Sequence, residues 1–129
     1  LTDWTKPAMD MSKPYRPLVT NVDADGNEIT GILLPEIAVP LGTYAGWNLY
    51  KAPYVEGELC DRDGTYIPFA ATRADREARK DPRPSLEERY GTHAAYVRKV
   101  EEAAQKLVAA RLLLQEDAER LIAKARAAN

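Results

Sequence analysis

Few residues in this sequence have the chemistry for covalent catalysis. The serines are Ser12 and Ser85, the histidine is His93 and the cysteine is Cys60. A serine nucleophile needs a histidine base and a carboxylate that orients it. Ser12 lies in a proline-studded stretch. Ser85 opens Ser-Leu-Glu-Glu, a capping pattern in which serine and glutamate satisfy the free N–H groups of a helix start. No Gly-x-Ser-x-Gly elbow is present. His93 has the chemistry of a base or a ligand, but a histidine at a helix start with no matched partner is more often structural. One histidine and one cysteine leave only carboxylates to complete a coordination shell, so no metal site is expected. No glycine-rich loop joins a strand to a helix, so no nucleotide cofactor is expected either. The sequence therefore assigns no catalytic residue and no cofactor.

Binding chemistry is easier to place. Residues 31–48 read GILLPEIAVPLGTYAGWN, the most apolar run outside the C-terminal helices. Pro35 and Pro40 lack N–H groups, so 34–41 is expected to be neither a central strand nor a helix interior. Gly42 and Gly46 suit tight bends. The stretch reads as a buried, irregular strap anchored by Tyr44 and Trp47. Taken singly, its residues are most simply core plugs. Taken together, Glu36, Tyr44, Trp47 and Asn48 set polar groups beside apolar surface, the composition of a substrate-pocket wall.

The elements that must position these groups fall into two parts, 1–71 and 72–129, which together make one domain or part of one. The expected class is α+β, with an irregular N-terminal half and a helical C-terminal half. Residues 1–17 carry three prolines and read as an extended lead-in. Residues 18–22 and 29–34 flank Asp23-Ala24-Asp25-Gly26-Asn27-Glu28, which predicts a β-hairpin. The acids there miss calcium-loop spacing, with Leu34 where a bidentate glutamate belongs. Residues 66–69 suggest a short strand. Thr72 with Asp75 predicts a helix start, and Gly91 a helix end. Tyr96, Val97, Val100, Ala104, Leu107 and Val108 form one apolar stripe on a long helix over about 92–113. Ala118, Leu121, Ile122 and Ala125 give a second helix its apolar face, and the two are expected to form an αα-hairpin. Arg73, Arg76, Arg79, Lys80 and Arg83 alternate with acids and read as a solvated, self-neutralising face.

Bulk properties exclude several classes. A net charge of −2 and a pI of about 5.5 give no electrostatic case for nucleic acid. No apolar run is long enough to span a bilayer as a helix. The chain begins at Leu1 rather than methionine, which fits a piece of a larger polypeptide.

Three stretches carry a resemblance: VDADGNEITGILLPEIAVPLGTYAGWNL, DGTYIPFAATRADREARKDPRPSLEERYGTHAAYV and LVAARLLLQEDAERLI. From about residue 15 to 128 the chain resembles the C-terminal region of a bacterial family of α/β-hydrolase domain proteins, which are longer and often exported. Gln115 departs from the pattern, where proline would be favoured as a helix starter. The resemblance implies a C-terminal segment or subunit of a serine-hydrolase-like protein, with esters as the default substrate by fold analogy. The nucleophile would lie upstream, on the rest of the hydrolase chain as partner. It also implies an extracytoplasmic location, where Cys60 could pair with a cysteine outside this chain. The competing expectation is a non-catalytic interaction module that forms a homo-oligomer.

Overall fold

The computed structural model describes Thr5, Ser12 and residues 20–54, 57–60 and 63–128. Most of the expected lead-in, with residues 18 and 19 of the expected hairpin, lies outside the described residues.

The Asp-Gly turn forms. Asp23 Oδ1 accepts from the N–H groups of Asp25 and Asn27, both at 2.9 Å, and Gly26 adopts φ +82°. The expected hairpin around it shrinks to one antiparallel bridge, Val22 with Glu28. Residues 29–34 are not a strand, because Gly31 at φ +78° turns the chain out of extended geometry. The strap is also more regular than its prolines suggest. Helix α1, Pro35–Ala38, places Pro35 at its first position, where a missing N–H costs nothing. Strand β1, Gly42–Ala45, follows it.

Strand β1 pairs antiparallel with β4, Thr65–Pro68, in the register Thr43 to Ile67 and Ala45 to Thr65. Between them, β2 (Asn48–Leu49) and β3 (Leu59–Cys60) form an inner two-stranded pair. The β layer is thus one long hairpin nested inside another. Gly42 permits the close approach: a Cβ there would lie 2.6 Å from the Ile67 carbonyl oxygen.

The helical half forms much as its caps and periodicity predict. Helix α2, Arg73–Ala78, is capped by Thr72, which accepts from the Asp75 N–H. Helix α3, Leu86–Tyr90, starts on the full Ser85–Glu88 capping box and ends at Gly91, φ +69°. Helix α4, His93–Ala109, is capped by Thr92, and α5, Gln115–Ala127, folds back against it. Val97, Val100 and Ala104 of α4 are buried, as are Ala118, Ile122 and Ala125 of α5. Val39 joins Val100 and Ala125 in one cluster, so α1 docks the strap on the helical hairpin. The class is α+β, with two small antiparallel sheets and a helical C-terminal half.

A polar seam joins the halves. Arg83 pairs with Asp81 at 2.6 Å and donates to Thr43 Oγ1 at 2.8 Å and to the Ile67 carbonyl at 3.0 Å. Arg89 pairs with Asp25. Both guanidinium groups lie over the ring of buried Phe69, at 5.1 and 4.0 Å. This corrects part of the solvated-face reading. Arg73 and Glu77 do pair in solvent, but Arg83 and Asp81 keep only 14% of their side-chain surface. Arg83 turns inward because strand carbonyls and the Thr43 hydroxyl offer acceptors there.

Candidate functional site

Side chains alternate across a strand, so β1 has two faces. Tyr44 lies on one and Thr43 and Ala45 on the other, opposite Ile67 and Thr65. The second face floors a groove of about 560 Å³. Val22, Gly26 and Glu28 line it together with Trp47, Asn48 and Leu49. Val22, Trp47, Leu49 and Ile67 are each about half exposed, at 46–53%.

The groove is held from behind. Asn27 is fully buried, and its side chain spans the outer edge of β1. The amide nitrogen donates to the Gly42 carbonyl at 3.2 Å, and the amide oxygen accepts from the Tyr44 N–H at 2.7 Å. One primary amide thereby does for β1 what a neighbouring strand would do. The Thr43 hydroxyl donates to the Asp25 carbonyl and accepts from Arg83. The Thr65 hydroxyl donates to the Trp47 carbonyl at 3.2 Å. The Thr43 and Thr65 hydroxyls are therefore engaged, Thr20 adds a third hydroxyl at the rim, and among the described residues no histidine lines the groove to serve it as a base. The arrangement can bind, but among the described residues it has no hydroxyl or thiol paired with a base.

The sequence-derived quartet divides between the faces. Trp47 and Asn48 line the groove, whereas Glu36 and Tyr44 border a small hollow of about 80 Å³ between α1 and the α4–α5 hairpin. There Glu36 lies 3.7 Å from Lys124 Nζ. Tyr44 stacks on Tyr66 at 4.9 Å, and its phenol pKa is pushed up to about 12 by burial, with Tyr66 and Glu36 adding to the effect. Trp47 is 50% exposed rather than a buried anchor, since none of the described elements covers it. His93 opens α4, and its Nε2 sits 3.0 Å from the Ala125 carbonyl near the end of α5. Its contact thus ties two helices together. It also edges a hollow of about 280 Å³ with Tyr90 and Tyr96.

Sequence reasoning missed Asn27, Arg83 and Ile67. A fixed Asx-turn was the available signal for Asn27, since it predicts which residue leaves the turn. Cys60 is half buried, with Sγ 3.6 Å from Asp63 Oδ2. Among the described residues, no group of three or more His, Cys, Asp or Glu side chains could hold a metal ion, and no helix is long and apolar enough to cross a membrane.

A family model described as alpha/beta hydrolase domain matches residues 2–123. The chain belongs to that family. No curated protein and no solved structure matches it. Membership sharpens the contrast with the site. Serine hydrolases of the α/β type place the nucleophile on a strained strand-to-helix elbow. Here Ser85 is a buried helix cap whose hydroxyl is bound by Glu88.

Proposed function

We propose that this chain is the C-terminal segment or subunit of a serine-hydrolase-like enzyme acting on esters, and that it packs against a larger body supplying the nucleophile. The observation that carries this reading is the apolar surface left uncovered on the β side. Ile29, Ile32, Leu34, Trp47, Leu49, Tyr54, Leu59 and Ile67 are each 46–74% exposed. Exposure of this many large apolar side chains fits a surface that has a partner. Trp47 and Asn48 then contribute a pocket wall. Glu36 and Tyr44 lie on the inner side, where Glu36 pairs with Lys124 and holds the strap to α5, while His93 ties α4 to α5. An extracytoplasmic, bacterial, complexed enzyme is the setting this reading implies.

Native purification followed by intact-mass analysis tests it, together with labelling by a serine-reactive fluorophosphonate. A second, larger polypeptide or a precursor that takes the label is the expected result. A monodisperse 14.4 kDa species that neither labels nor associates would overturn the reading. A pure homodimer by light scattering would favour the interaction module instead.

A further inference from the structure

We infer that the groove on the Thr43–Ala45 face receives an uncharged alkyl or aryl group of the substrate and turns anionic groups away. This rests on the pocket-wall reading above and adds a substrate class to it. The walls come from three separate places along the chain: Val22 beside the turn, Trp47 and Leu49 on the inner hairpin, and Ile67 on β4. Each has apolar surface still to lose to a ligand. The volume of about 560 Å³ lies within the roughly 300–1,000 Å³ range of small-molecule sites.

Charge decides the class. Among the described residues lining the groove, Glu28 is the only ionisable side chain, and no lysine, arginine or histidine joins it. Arg83 lies behind Thr43, but Asp81 neutralises it and its donors go to Thr43, the Ile67 and Pro68 carbonyls and Asp81. A ligand carboxylate or phosphate would meet one like charge and no counter-charge. The polar contact on offer suits a neutral carbonyl: Asn48 uses its side-chain oxygen to accept from the Leu49 N–H at 2.8 Å, which leaves its amide nitrogen as a donor. Apolar walls, neutral donors from the Asn48 amide and the Thr20 hydroxyl, and one carboxylate together fit an uncharged ester better than an anion.

The test uses the full 129-residue chain, labelled with ¹⁵N and titrated near pH 7 with a matched pair of ligands. Ethyl benzoate is neutral, and monoethyl terephthalate has the same outline with a carboxylate added. Ethyl benzoate should shift the amides of Val22, Ala45, Leu49 and Ile67 and the Trp47 indole N–H. The monoanion should bind at least about tenfold more weakly. Glu28→Gln should shrink that ratio to within about threefold. Leu49→Ser, at an exposed position, should weaken the neutral ligand about three- to tenfold. Equal affinities, tighter binding of the anion, or shifts confined to the hollow beside His93 would overturn the inference. So would ligand-independent broadening of the groove signals with protein concentration, which would assign the groove to a second copy. The fluorophosphonate experiment is independent of this one. Failed labelling with intact groove binding removes the hydrolase reading only, and the reverse pattern removes only this inference.

Discussion

Replacing Asn27 should show how much of the β layer depends on one side chain. Asn27→Ala keeps the turn backbone, because Asp23 Oδ1 still accepts the residue 27 N–H and Asp23 N–H still donates to its carbonyl. What disappears is the pair of bonds to β1. The Gly42 carbonyl, on a buried residue, loses a donor at 3.2 Å, and the Tyr44 N–H loses an acceptor at 2.7 Å. An unsatisfied buried polar group costs about 1–3 kcal/mol. Gly42 belongs near the top of that range, and half-buried Tyr44 near the bottom, where water can reach it. The expected loss is about 2–4 kcal/mol, a large part of the stability of a chain this size. Urea titration followed by circular dichroism should show a lower midpoint at unchanged slope. The melting temperature should fall by roughly 10 °C or more.

Asn27→Asp separates the two bonds. An ionised carboxylate still accepts from Tyr44 but faces the Gly42 oxygen with no proton to give. At neutral pH it should cost at least as much as alanine. Protonation restores a donor, so the gap between the aspartate and alanine variants should close or reverse on acidification. An alanine variant within about 0.5 kcal/mol of the parent would refute the strand-edge role. An aspartate variant that tracks alanine at every pH would refute the donor half of it.

Three further outcomes follow from the same geometry. Hydrogen bonds from Arg83 lower the Asp81 pKa to about 2, and hydrogen bonds from the Ser85 N–H and hydroxyl, with Arg76, lower that of Glu88 to about 2. Both depressions stabilise the fold above the ordinary carboxylate range, so thermal stability should fall between about pH 5 and pH 2 and Asp81→Asn should flatten that slope. Arg111 closes the α4–α5 turn at φ +60°, so Arg111→Gly should raise stability by roughly 0.5–1 kcal/mol in a thermal melt. Gly42→Ala would put a methyl 2.6 Å from the Ile67 carbonyl oxygen and 2.9 Å from Pro68 Cα, both backbone atoms; a loss of about 3 kcal/mol, with collapsed amide dispersion for β1 and β4, is the expected spectrum.

The helical half was legible because its signals are local. Thr72 with Asp75 and Ser85 with Glu88 are cap pairs three residues apart, and the α4 stripe repeats within one turn. The β layer was not, because its pairing is not local. Gly42–Ala45 reads as two bends around a tyrosine until Thr65–Pro68, some twenty residues on, supplies the partner edge. Trp47 looked like an anchor because burial of a tryptophan is a good prior, but burial requires a neighbour and the described fold provides none. Arg83 looked solvated because a charge run carries no record of the strand carbonyls it will meet. Of the expected pocket wall, composition grouped Glu36, Tyr44, Trp47 and Asn48, and the structure sets Glu36 and Tyr44 beside one hollow and Trp47 and Asn48 beside another, because strand alternation separates faces that a strap without assigned secondary structure does not have.

The distribution of burial then bears on the site. The buried apolar residues of α4 and α5 lie on the helical side, with Val39 and Phe69 at the seam, while the large exposed ones lie mostly on the two-stranded sheets and the stretch before α1. Two-stranded sheets are marginal without a covered face. Here the outer sheet is held not by apolar cover but by polar ties from one side: Asn27 along the β1 edge, and Arg83 against Thr43 and the β4 carbonyls. Such ties fix the position of a surface without hiding it. A wall built this way can be ordered before anything packs on it, which is what the pocket proposed above would require. A core that buried the same sheet would have been more stable and would have left no groove.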